Sequence, residues 1–447
     1  MQKSRRSFLT AVSMLAAGNV MGFRPFGMLN ALAQTTAEYK ALVCVFMYGG
    51  NDANNMLIPF DSTGYQNYSR IRGPLALAQN ALLQLAPQPK FALHPSLPEV
   101  QSLFNQGNAA FLANVGTLLQ PTTRAQYLAN AVASPGNLFS HPDQQLEWQN
   151  QMGTSSGNSG WAGRVADKLT TQYNPGALVP MIASLDGDEL FCNGEVTSPV
   201  TLRTTGPTSA ICHDGAYCSS RQQTAQQLST LSSGVSLVQA DNTITSNADS
   251  YNSVLTEALA SVSPLQTVFP SNSNPFAAQL SEVAKLIQVR AALGVTRQIF
   301  FIGCGNFDTH ASQLGEHAAL LAQVSQALGA FYQALEELNM AEQVTTFTCS
   351  DFARTFQPNS AGGSDHAWGS HHIILGGAVK GGKIYGTFPT QALGGPDDAG
   401  ANGRWLPSTA SAQYAATLAQ WFGLPPSELA YVLPYIGNFS SNNLGFV

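Results

Sequence analysis

The segment Tyr39–Met47 (YKALVCVFM) is apolar at every position but Lys40, and it does not alternate. A strand with one wet face reads apolar-polar-apolar. A strand written this way must be covered on both faces, which is the signature of a parallel sheet between two layers of helix. Comparable runs recur at Ala109–Val115, 297–303, 344–349 and 373–376. Helical periodicity separates them, at 96–107, 161–173, 277–293 and 313–341, with a last helix at 411–422. Strand-helix-strand alternation of this kind predicts an α/β fold, a three-layer αβα sandwich around a mostly parallel sheet. Between about 186 and 275 the chain turns rich in Ser, Thr, Asn, Gln and Gly, with helical stretches near 222–237 and 249–260. This stretch reads as a polar insertion on a single domain spanning 34–447.

The first 33 residues read as an address. Ser4-Arg5-Arg6-Ser7-Phe8-Leu9 is a twin-arginine pattern, a mildly apolar run follows to Gly22, and Ala31-Leu32-Ala33 offers a small-x-small cleavage site. The expected partner is the twin-arginine export machinery, and the expected destination is the periplasm or the exterior. Of 20 basic residues, Lys3, Arg5, Arg6 and Arg24 lie in this segment, so its removal leaves 16 against 26 acids, a formal −10. That balance excludes a protein that tracks a nucleic-acid backbone with a basic face. Charged residues make up only 10% of the chain, against about 25% in an average soluble domain, so amides and hydroxyls supply its polarity. Past the leader no apolar stretch is long enough to cross a membrane.

The six cysteines form no CxxC pair and no zinc-finger spacing. Cys44, Cys304 and Cys349 fall in strand-like runs and read as small core residues. Cys192, Cys212 and Cys218 lie in the polar stretch, where an oxidising compartment permits a disulfide, Cys212–Cys218 being the preferred pair.

Chemistry-bearing residues gather where strands end. The first strand runs into Asp52, the strand at 297–303 into Asp308 and His310, and the strand at 344–349 into Asp351. Gly362-Gly363-Ser364-Asp365-His366 follows, then His371 and His372. Ligands of open α/β sheets bind beyond the carboxyl ends of the strands. Carboxylates mixed with imidazoles suit Zn, Mn or Fe rather than Ca. An aspartate after a strand is also an ordinary turn former, but four of eight histidines fall in two of these loops.

Gly49-Gly50-Asn51-Asp52-Ala53-Asn54-Asn55, Leu93-His94-Pro95, Phe307-Asp308-Thr309-His310, Ser350-Asp351-Phe352-Ala353-Arg354-Thr355, Gly363-Ser364-Asp365-His366 and Gly376–Gly382 together resemble the bacterial domain-of-unknown-function 1501 family. That family is grouped with the alkaline phosphatase superfamily. The resemblance implies one or two divalent ions, Zn or Mn, held by Asp52, Asp308, His310, Asp351 and His366. Phe352 stands where many superfamily members place a histidine beside the aspartate, which points to a single metal or to a replacement ligand such as His141 or His371. Ser140, before His141, is the implied nucleophile, with Thr117 and Thr122 behind it. Arg354 is either a clamp for a phosphate or sulfate oxygen or a salt-bridge partner of Asp351 or Asp365.

Absent motifs narrow the chemistry: there is no Cys-x-Pro-x-Arg of formylglycine sulfatases, no P-loop and no Gly-x-Ser-x-Gly elbow. Two functions follow. One is an exported metal-dependent hydrolase of phosphoryl or sulfuryl esters. The other is a non-catalytic relative that binds a surface polymer or an exported partner.

Overall fold

A computed structural model describes residues 38–153, 157–204, 218–229 and 234–447. Residues 1–37, with the leader expected at 1–33, and Cys212 lie outside the described residues, as does the side chain of Cys218. Among the described residues twelve strands occur in chain order: β1 Lys40–Met47, β2 Leu57–Pro59, β3 Leu83–Gln84, β4 Phe91–Leu93, β5 Ala109–Gly116, β6 Ile182–Ser184, β7 Val200–Thr201, β8 Arg297–Cys304, β9 Val344–Ser350, β10 Ser370–Leu375, β11 Ile384–Gly386 and β12 Thr409–Ala410. The main sheet runs β11-β5-β10-β9-β1-β8-β6-β7, with β12 beside β5, and β2-β4-β3 form a small second sheet. Seven helices matter below: α1 Pro98–Asn105, α2 His141–Asn150, α3 Trp161–Tyr173, α4 Ser236–Ala260, α5 Pro275–Gln288, α6 Gln313–Glu337 and α7 Ser411–Phe422.

Alternate residues of β1 show why its sequence does not alternate. Ala41, Val43, Val45 and Met47 pack with α1, α5 and α6 in one core. Leu42, Cys44 and Phe46 pack with α3 and α7 in the other. Both faces are dry, and each buried aliphatic or aromatic side chain contributes roughly 1.5–3 kcal/mol. The sheet is mixed and mostly parallel, flanked by helices. β1 lies parallel to β8 and β9, whereas β10 runs antiparallel to both β9 and β5. The run at 373–376 thus belongs to a reversed strand that starts earlier, at Ser370.

Reversal has a direct effect on the site. β9 ends at Ser350 and β10 starts at Ser370 on the same edge of the sheet. The loop 351–369 therefore leaves and returns over the carboxyl ends of β1, β8 and β9. Within the polar stretch, β7 extends the sheet beyond β6, and α4 sends Leu255 and Ala258 into the first core while Val238 and Ile244 stay exposed. Cys44, Cys192, Cys304 and Cys349 are buried free thiols. Among the described residues, no helix is long and apolar enough to cross a membrane.

Candidate metal centre

The turn after β1 brings its loop against its neighbours. Gly49 and Gly50 have φ of 110° and 83°, a region that favours glycine. A Cβ at Gly49 would strike the Asp308 amide nitrogen, and one at Gly50 would lie 2.6 Å from the Phe352 ring. Side chains here would push apart the loops that follow β1, β8 and β9.

Asp308, two residues past the left-handed Asn306, sits at the centre of the cluster. Its Oδ1 accepts from Arg354 Nη1 at 2.6 Å. The same oxygen lies 2.9 Å from His310 Nε2, 3.3 Å from His366 Nε2 and 3.5 Å from His141 Nε2. The two Nε2 atoms of His310 and His366 are 2.9 Å apart. Ligand atoms of His141, Asp308 and His366 all fall within 4.8 Å of one another.

Each ring is held from its other nitrogen. His366 Nδ1 lies 2.7 Å from the Phe139 carbonyl. A carbonyl only accepts, so Nδ1 carries the proton and Nε2 presents its lone pair. His141 Nδ1 donates to Asp351 Oδ2 at 2.6 Å, and His310 Nδ1 lies 3.3 Å from Asp365 Oδ1. Carboxylate or carbonyl behind an imidazole is the arrangement that orients histidine ligands of metals. The Asp351 carboxylate is buried and fixed in turn by the Gly49 N–H at 3.2 Å and Gln145 Nε2 at 2.9 Å. Phe352 packs its ring against His366 and His141, with centroids 4.6 and 4.7 Å away. It walls the two imidazoles in without ligating.

Electrostatics follow the geometry. The hydrogen bond to Asp351 raises the His141 pKa above the ordinary imidazole value, against the effect of burial. Burial lowers that of His366. For Asp308 burial works upward, but Arg354, His310 and His141 outweigh it and hold the carboxyl below its usual range. His141 Nε2 is buried and makes no hydrogen bond. Three imidazole nitrogens facing one carboxylate oxygen is a donor set that fits Zn or Mn.

The structure brings together four of the five sequence-derived ligands: Asp308, His310 and His366 directly, and Asp351 through His141. It does not bring Asp52. That carboxylate is fully buried, paired with the equally buried Arg72, and it accepts from Gln313 Nε2. Arg72, Gln313 and Ser364 were not legible as site residues, because neutral or distant partners carry no spacing signal. From Asp52 a chain of hydrogen bonds runs through Gln313 to the Ser364 hydroxyl at 2.5 Å, and from the Ser364 carbonyl to Arg354. Asp52 stands behind the cluster as its support. Arg354 itself is buried and gives its hydrogens to Asp308, Gly49 O and Ser364 O, so its salt-bridge partner is Asp308 rather than Asp351 or Asp365. His371 is also apart: its Nδ1 accepts from the Asn114 N–H and its ring stacks on Phe388.

Ser140 lies between Phe139 and His141, both engaged at the cluster. Its N–H donates to Asn137 O, and its hydroxyl donates to Asp143 Oδ2 at 2.5 Å. It opens α2 without bonding the helix backbone through its side chain. The peptide N–H is therefore not turned toward an anion. Thr117 donates to Gln144 Oε1, and Thr122 to Gln120 O.

The chain belongs to the family described as Protein of unknown function (DUF1501), whose profile matches residues 39–400. No curated protein matches it in sequence. Among solved structures it is similar to the PsFucS1 sulfatase from Pseudoalteromonas sp., at 10% identity and TM-score 0.37, over 92% of this chain and 76% of that one. It is also similar to a protein in the alkaline phosphatase superfamily from Vibrio parahaemolyticus, at 11% and 0.36, over 90% and 76%. A third is the lipoteichoic acid synthase LtaP from Listeria monocytogenes, at 7% and 0.34, over 84% and 80%.

Proposed function

We propose that this DUF1501 protein is an exported, metal-dependent hydrolase of phosphoryl or sulfuryl esters. Zn or Mn is held by Nε2 of His141, His310 and His366 with Oδ1 of Asp308. One observation carries the reading: three imidazole nitrogens converge on one carboxylate oxygen while each ring is fixed from behind. The His366 Nε2 lone pair lies 2.9 Å from His310 Nε2, a spacing that a bound cation or a proton on His310 would satisfy. A divalent ion there supplies Lewis acidity toward a non-bridging ester oxygen.

The protein's own residues do the rest. Asp351, Asp365 and the Phe139 carbonyl fix tautomers and aim the rings. Arg354 keeps Asp308 ionised and oriented. Ser140 is the proposed nucleophile, with Asp143, already 2.5 Å from its hydroxyl, taking the proton. Residues 1–33 lead to the twin-arginine machinery, and the substrate is a small anionic ester or an ester on a surface polymer. The second reading, a non-catalytic protein that binds such a polymer or an exported partner, draws on the Ser140 hydroxyl being engaged with Asp143 rather than with the cluster.

Elemental analysis of the folded protein for Zn, Mn and Fe comes first. Metal-loaded protein is then assayed on an aryl phosphate, a phosphodiester and an aryl sulfate. Ser140→Ala should abolish turnover while sparing metal content and Tm, because the side chain caps no backbone group. Full metal occupancy without turnover on any ester moves the conclusion to the second reading. No bound metal overturns the hydrolase reading and leaves the second.

A further inference from the structure

We infer that Arg404 receives the tetrahedral oxyanion of the substrate, an inference that rests on the metal-centre reading above. The arginines deep in the site are engaged elsewhere: Arg72 with Asp52, and Arg354 with Asp308 and two carbonyls. Arg124 donates to Asp398 O at 2.7 Å and Gly400 O at 3.1 Å. Arg404 differs. Its Nε donates to the His366 carbonyl at 2.9 Å, and its guanidinium carbon lies 4.1 Å from the centroid of the Phe139 ring. Phe139 in turn offers its carbonyl to the His366 imidazole. The guanidinium is thus fixed to the two segments that carry His366 and His141. Among the described residues its Nη1 and Nη2 make no hydrogen bond, and no carboxylate neutralises it.

The backbone beneath Arg404 is built to hold it. Asp398, fully buried, accepts from the N–H groups of Gly394, Gly400, Gly403 and Arg404 itself, at 2.9 to 3.0 Å. The Arg404 carbonyl accepts from Ala399 at 2.8 Å. Anchored at Nε and stacked on a phenyl ring, the planar fork loses little freedom when it meets an anion, and its two outer nitrogens match two oxygens of a phosphate or sulfate. Anion recognition accordingly falls to the loop 394–404 rather than to Arg354.

The test uses the Zn-loaded protein and reads inorganic phosphate and inorganic sulfate binding by calorimetry, with metal content and Tm measured on every variant. Arg404→Gln should keep the metal and the Tm of the wild type while phosphate and sulfate bind about ten- to a hundredfold more weakly. Arg404→Lys, which keeps the charge but not the fork, should fall in between. Unchanged anion binding in Arg404→Gln overturns the assignment. So does a joint loss of metal and Tm, which marks Arg404 as a brace for His366 only, provided Arg404→Lys recovers both together with full anion affinity. If the wild type takes up no metal, the metal-centre reading fails by itself. Phosphate binding that still depends on Arg404 then supports the assignment, and binding indifferent to it overturns it.

Discussion

Asp52 and Asp308 leave the carboxyl edge of one sheet, from the neighbouring strands β1 and β8, and each is paired with a fully buried arginine. Their surroundings separate them. Asp52 is completely buried, and among the described residues its carboxylate bonds only with Arg72 and Gln313. Asp308 has a side chain 44% exposed and meets three imidazoles as well as Arg354. A carboxylate closed in with one guanidinium is a structural device whose breakage strands a charge. One that keeps an open side and gathers imidazole nitrogens is placed as a metal ligand would be. Strand-end position alone does not distinguish the two.

Arg72→Ala sharpens the difference most. Removing the partner leaves the Asp52 charge buried and uncompensated, with an expected loss of about 3–5 kcal/mol in denaturant unfolding. If Arg72→Ala is nearly neutral, Asp52 is not a supporting charge. Asp308→Asn should do the reverse. It should lower turnover of the most reactive ester by about two orders of magnitude or more, with much less effect on unfolding. A loss of stability matching that of Arg72→Ala would erase the contrast. Asp351→Asn acts one bond further out, through His141. Weakening of Zn affinity by about ten- to a hundredfold is expected in a competitive chelator titration, and unchanged affinity would remove His141 from the ligand set.

Glu147 offers the case with no guanidinium at all. It is buried on α2, accepts only the Gly153 N–H among the bonds described, and burial pushes its carboxyl up to about 7. The folded chain therefore holds that proton at a pH where the unfolded chain has released it. Stability from this group is present in acid and falls as pH rises from about 4.5 through about 7. Glu147→Gln should flatten this part of a Tm-against-pH curve. A wild-type Tm that rises over the same window with Glu147→Gln following it in parallel would show that the side chain ionises freely.

Legibility in the sequence tracked the strength of the apolar pattern. The strands at 109–115, 297–303 and 344–349 and the helices at 161–173 and 411–422 stand where periodicity put them, to within a residue. The direction of β10 was hidden, because an apolar run looks the same read either way. Helix α2 was hidden for another reason. Its inward face carries Gln144, Glu147, Gln149 and Asn150 beside Trp148, so hydrogen bonds and not greasy contact seat it. The small sheet β2-β4-β3 is too short to leave a period. At the site, acids and imidazoles at strand ends were readable as a group, and His141 only as a substitute ligand. The Asp52–Arg72 pair was not readable, since nothing in a chain marks which arginine will be sealed against which acid. Cys192, placed in a polar stretch, proves to be a core thiol beside Phe191.

The reversed strand β10 also fixes an order of events. His141, Asp308, His310 and His366 come from three segments spread over half the chain, and the last of them is in place only once β10 has turned back against β9 and β5. A cation has no site to organise before the sheet is complete. A metal bound at this centre would load after folding, unlike small zinc modules in which the ion drives folding. Chelation should therefore empty the centre and leave the circular-dichroism spectrum as it was. Whichever compartment holds the finished fold is the one whose metal pool decides what the centre carries.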